Sequence, residues 1–132
     1  MPYPGEPESV SERTSLIDLS TLASEGFRFV LSLVLSEVGD ASELDKGGQT
    51  IGCRLWGRDG SWAHVLGNVV RQGGPRRLWD AVEDSHLWFE THGRPSRDRF
   101  GVTITPAGQT FWLDEPRQYV PPAPSPRELR SA

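Results

Sequence analysis

The sequence predicts an α+β fold: an antiparallel sheet of about five strands built from hairpins, with one main helix over about 75–92 packed on one face. Three observations predict it. Residues 75–92 alone combine a long helical periodicity with signals at both ends. Asp59-Gly60 and Pro106-Ala107-Gly108 each punctuate a pair of short, strand-like runs. The run Phe27–Leu35 alternates apolar and mostly smaller or polar residues in the manner of a strand.

The helix comes first because the other elements are placed around it. Gly73-Gly74 breaks the preceding pattern, and Pro75 sits where a first helical residue tolerates a missing N–H. Gly93 supplies the glycine past the last turn, with Pro95 barring continuation. Leu78, Ala81, Val82, Ser85, Trp88, Phe89 and His92 share one wide face. Burying each large member is worth roughly 1.5–3 kcal/mol. Arg77, Asp80, Asp84 and Glu90 face water.

Along the chain, Ser15–Gly26 suits one short helical turn. In Phe27–Leu35 both periods fit, but short length, two phenylalanines and β-branched valines favour a central strand. Residues 36–49 read as a loop. Around Asp59-Gly60 a two-residue turn would pair Arg58 with Ser61 and Trp56 with Ala63. Ile51, Cys53, Leu55, Trp62, His64 and Leu66 would then share a face. Val69–Gln72 follows as a short extra strand. In the last hairpin a three-residue loop would put Val102, Ile104 and Trp112 on the helix side. Thr103, Thr105, Gln109, Phe111 and Leu113 would lie opposite. The proline-rich ends, residues 1–14 and 117–132, read as disordered tails, leaving a single domain over 15–116.

The net charge is −4, with nine acids against three bases over residues 1–49 and nine against eleven thereafter. That mild positive half falls short of a nucleic-acid footprint. Cys53 is the only cysteine, which excludes an internal disulfide and suits a reducing cytoplasm. No apolar run approaches the ~20 residues of a membrane helix, so the chain is expected to be cytoplasmic.

Cys53 and His64 invite a nucleophile–base reading, but no orienting carboxylate or oxyanion site accompanies them, and a packed thiol is the plainer account. Glu83-x-x-His86 has a di-iron ligand spacing, yet such sites need matching motifs on other long helices. No metal site is expected. Arg76, Arg77, Arg94, Arg97 and Arg99 flank the helix and suit either surface ion pairs or a carboxylate clamp. With Phe111 and Leu113 on the uncovered face, they form the candidate partner-binding set: an aromatic anchor rimmed by arginine.

Three stretches, Gly60–Ala63, Val70–Glu83 and Gly93–Asp114, together resemble the C-terminal region of methyltransferases like protein-L-isoaspartate O-methyltransferase in high-GC bacteria. Some of that family modify aspartates in ribosomally made peptides. The similarity covers roughly residues 15–116. In the family an S-adenosylmethionine-binding α/β domain precedes this region, and its glycine-rich loop is absent here. The resemblance therefore implies an accessory module for substrate or partner binding, with no catalytic or cofactor-binding residue carried over and no cofactor. Its expected partners are a methyltransferase domain or an acidic peptide, not nucleic acid or membrane. The alternative is an unrelated protein–protein interaction or immunity-type protein.

Overall fold

The computed structural model describes residues 10–120. In chain order the elements are β1 (Val10–Thr14), a 3-10 turn (Leu19–Ala23), α1 (Glu25–Val34), β2 (Gly39–Leu44), β3 (Thr50–Trp56), β4 (Trp62–Leu66) and β5 (Val69–Gly73). There follow α2 (Leu78–Thr91), a second 3-10 turn (Arg97–Arg99), β6 (Phe100–Thr105), β7 (Gly108–Leu113) and β8 (Tyr119–Val120). The class is α+β, the strands are antiparallel, and the main helix packs on a sheet. The chain divides into two compact units, one holding residues up to Ala23 and Glu37–Glu83, the other Ser24–Ser36 and residues from Asp84 onward.

The first unit is a five-stranded sheet in the order β1-β5-β4-β3-β2. Two of its strands lie in segments read from the sequence otherwise. Val10–Thr14, placed in the N-terminal tail, pairs with β5, and Gly39–Leu44, placed in a loop, pairs with β3. Both are edge strands with few buried side chains, so neither carries an apolar alternation. In the C-terminal tail, Tyr119–Val120 likewise form a strand, β8, paired with β7, and residues 1–9 and 121–132 lie outside the described residues.

The inner face buries Cys53, Leu55, Ala63, Val65 and Val70, with Leu78, Trp79 and Val82 from the start of α2. Gln72, also buried, seats that helix: its Oε1 accepts the otherwise unpaired N–H of Trp79 at 2.8 Å, and its Nε2 donates to Asp80 at 2.9 Å. The helix begins at Leu78 rather than Pro75, because Arg76 donates its N–H to Ser61 Oγ instead of entering the first turn. An ionic cluster, its Glu83 carboxylate buried, ties β1 to the same helix. Arg13 donates to both oxygens of Glu83, at 2.8 and 2.5 Å, and to Asp80 at 2.5 Å. The Leu16 N–H adds a further bond to Glu83, at 2.8 Å. The bond to Glu83 is the chief cause that holds the guanidinium above its ordinary value. A charge buried this way persists only when paired and hydrogen-bonded.

The second unit contains α1, the rest of α2 and the sheet β6-β7-β8. Phe27–Leu35, expected to be a strand, is helical. Ser24 caps it by accepting the Phe27 N–H, and Glu25 sits in its first turn. Phe27 and Val30, one turn apart, are fully buried. Phe89, Leu113 and Val120 complete this core, with the Phe27 and Phe89 rings 5.6 Å apart. α2 ends as expected: Gly93 has φ 79°, its N–H donates to Glu90 O, and the Arg94 N–H donates to Phe89 O.

Both long hairpins depart from the expected register. Around Asp59 the loop has three residues, not two. The Gly57 N–H donates to Ser61 O, the Gly60 N–H returns to Gly57 O, and Gly60 takes φ 92°. The Asp59 carboxylate, accepting the Ser61 N–H, favours this bulged turn. Conversely, Pro106-Ala107 is a two-residue loop, with Thr105 opposite Gly108. Each one-residue slip moves a whole strand's side chains to the other face.

Candidate functional site

The first slip assembles an aromatic and basic surface on the outer face of the five-stranded sheet. The pairing aligns three cross-strand rows there. Val10, Gly73, Trp62, Trp56 and Gly39 form the first, and Glu12, Arg71, His64, Arg54 and Ala41 the second. Thr14, Val69 and Leu66 lead the third, which continues to Gly52 and Glu43. Neighbouring rows are about 6.6 Å apart, two residues along a strand.

Trp56 and Trp62 face each other directly. The bonds from Gly57 N–H to Ser61 O and from Gly67 N–H to Ile51 O show that odd-numbered residues of β3 carry the ladder to β4. Trp56 and Trp62 are therefore a non-hydrogen-bonded pair, the arrangement that brings side chains closest. Gly39 makes room for the first ring: a Cβ there would stand 2.4 Å from the Trp56 indole. Even so, Trp56 is 50% and Val10 in its row 43% exposed, and on the same face Leu66 and Val69 in the third row are 51% and 43% exposed. Isolated exposed apolar residues are ordinary, but several of them on one sheet face mark a contact surface.

The basic row is held in place by Glu43. Its Oε1 lies 2.7 Å from His64 Nε2 and 3.4 Å from Arg54 Nε. Gly52 leaves the carboxylate space to lie on the sheet, since a Cβ there would come within 3.0 Å of it. Arg71, paired with His64 in register, is exposed. An aromatic pair beside arginine and imidazole suits a segment presenting carboxylates next to apolar side chains.

The residues expected from the sequence to form the partner site are placed differently. Arg76 and Arg77 lie in the first unit, where Arg76 binds Asp59 at 3.1 Å and Arg77 donates to Ser11 and to Gln72 O. The other five lie in the second unit. Arg94 binds Glu90 at 2.7 Å and Arg99 binds Asp114 through two bonds, at 2.9 and 2.5 Å. These bonds hold the Glu90 and Asp114 carboxyls below their usual range. Arg97 stands 5.0 Å over the Phe29 ring, beside an open cleft of about 600 Å³ lined by Glu25, Gly26, Ser96 and Asp98. In the shifted register Phe111 pairs with Val102 and Leu113 with Phe100, so both share the sheet face of Val102 and Ile104 instead of the other face. Leu113 is buried in the core and Phe111 half-buried beside Val120.

The Cys53–His64 pair does not form. Cys53 pairs with Val65 and points inward, whereas His64 pairs with Arg54 on the outer face. Glu83 is bound by Arg13, while His86 stacks edge-on against Phe27 and sits 3.2 Å from Glu90. Among the described residues no cluster of three or more potential metal ligands occurs, and no helix is long and apolar enough to cross a membrane. In comparisons with known proteins, no family model, curated protein or solved structure matches this chain.

Proposed function

We propose that this chain is a non-catalytic binding module that seats an acidic, partly apolar protein segment on the outer face of its five-stranded sheet. The Trp56–Trp62 pair, with Trp56 half exposed and Arg54, His64 and Arg71 in the next row, is the observation that carries the reading. Such a surface has the composition of a binding hot spot, an aromatic centre with arginine at its margin. The resemblance of Val70–Glu83 and Gly93–Asp114 to isoaspartyl-type methyltransferases supports the choice of partner: an aspartate-bearing peptide or the methyltransferase domain that modifies it.

Tryptophan fluorescence with an aspartate-rich peptide containing one isoaspartyl residue, and separately with an isoaspartyl methyltransferase domain, tests this. Saturable binding by either is expected, weakened about 30-fold or more by Trp56→Ala, the effect of losing a hot spot of roughly 2 kcal/mol. The stability of Trp56→Ala should fall little, because half of that side chain already meets water. Binding unchanged in Trp56→Ala, yet lost in Arg97→Glu, would move the site to the connector before β6.

A further inference from the structure

The three-stranded sheet ends in a strand edge that nothing among the described residues covers. β6 pairs with β7 on one side only. The Asp114 N–H donates to Arg99 O, and Thr105 faces Gly108 across a two-residue loop. The ladder to β7 therefore uses Arg99, Gly101, Thr103 and Thr105, because bonded and non-bonded positions alternate. The backbone groups of Phe100, Val102 and Ile104 point the other way. Among the described residues only the Phe100 N–H is taken, donating to Arg97 O.

This edge also lacks the features that keep sheet edges apart. β1 carries Glu12 and Arg13, and β2 carries Asp40, Glu43 and a register irregularity at Glu43/Leu44. β8 is only two residues long. β6, Phe-Gly-Val-Thr-Ile-Thr, has no charge and no proline, pairs without a bulge, and leaves Ile104 72% exposed. Exposed edges of this kind template pairing with another strand.

We propose that two copies of this chain associate through β6, edge to edge and antiparallel, joining two three-stranded sheets into one of six strands. The charges favour a second copy over an acidic peptide. Arg94 and Arg99, which precede β6, are already bound to Glu90 and Asp114. An uncharged, β-branched strand fits best opposite Val102 and Ile104, and β6 is itself such a strand. With Thr103 on the two-fold axis, Val102 of each copy exchanges both backbone bonds with Ile104 of the other. Pro106, which has no N–H, then comes opposite Phe100, whose N–H is already committed.

Light scattering on the purified chain should give twice its 14.7 kDa mass at high concentration. Val102→Pro removes an N–H that no bond among the described residues uses, and Ile104→Lys puts a charge on the edge. Both variants should be monomeric with an unchanged circular dichroism spectrum. Thr103→Cys should form an intermolecular disulfide on oxidation, whereas the wild-type chain, whose Cys53 is buried, should not. A monomeric wild-type mass at the highest concentration reached overturns the proposal. So does a dimer that persists in folded Ile104→Lys, which decides the matter if Val102→Pro fails to fold.

Discussion

Arg13→Met removes the counter-charge of Glu83 while keeping an unbranched apolar stem in place of the arginine's. Glu83 is 3% exposed at its side chain, and Arg13 supplies two of the three hydrogen bonds its carboxylate accepts. Breaking a buried pair from one side costs about 3–5 kcal/mol, because the remaining charge stays desolvated and unpaired. Two features place this case near the lower end, about 3 kcal/mol. Arg13 is 30% exposed, so water can approach the vacated position, and the Leu16 N–H still holds one oxygen. Asp80 loses one partner too, but keeps Gln72. The companion variant Arg13→Met/Glu83→Met removes both charges and should recover most of the loss, giving a coupling of roughly 2 kcal/mol in a double-mutant cycle. Urea unfolding of the four proteins, extrapolated to water, measures it. If Arg13→Met costs under ~1 kcal/mol, or the two substitutions simply add, Glu83 does not depend on Arg13 and the cluster is no tie between β1 and α2.

Phe27→Ala should destabilise the second unit by about 3–5 kcal/mol, since Phe27 is fully buried against Phe89 and His86; an unchanged urea midpoint would remove α1 from the core. Gly74→Ala meets φ 88° and the backbone of Ser61 and Gly60 within 2.7 Å, so thermal unfolding should show a loss of at least ~1–2 kcal/mol from backbone conformation alone. Asp59 accepts the Ser61 N–H, the main cause that holds its pKa below the ordinary carboxylate value, with a smaller contribution from Arg76. Its folded value being depressed, it stabilises above the ordinary carboxylate range and loses that contribution as pH falls through the folded value. The stability gap between wild type and Asp59→Asn should therefore be present at neutral pH and close in strong acid, and a gap independent of pH would disprove the linkage.

The candidate surface was half legible. Trp56 and Trp62 visibly flank Asp59-Gly60, but which face they share depends on whether the loop holds two residues or three. That choice turned on one carboxylate accepting the Ser61 N–H, a contact that turn composition does not separate from its alternative. The opposite slip at Pro106-Ala107 placed Phe111 and Leu113 with Val102 and Phe100 rather than against them. In α1 a usable signal was present and outweighed. Arg28, Ser32 and Ser36 recur every four residues, the stripe of one helix face, whereas a strand would leave Val30 and Val34 on its polar side.

By itself the sequence determined the α+β class, the main helix with its glycine stop at Gly93, the hairpins on either side of it, and a short strand starting at Val69. These rest on local chemistry: periodicity, a residue tolerant of positive φ, and residues that break or start an element. Tertiary structure decided the rest. It chose helix over strand for Phe27–Val34 by burying Phe27 and Val30 together, and it recruited the weakly patterned β1 and β2 as edges. It also gave Gln72 and Arg13 their roles against α2, through contacts 7 to 70 residues apart. An edge strand needs backbone partners more than an apolar pattern, and a buried ion pair needs only that two distant side chains meet. Neither requirement leaves a periodic trace along the chain.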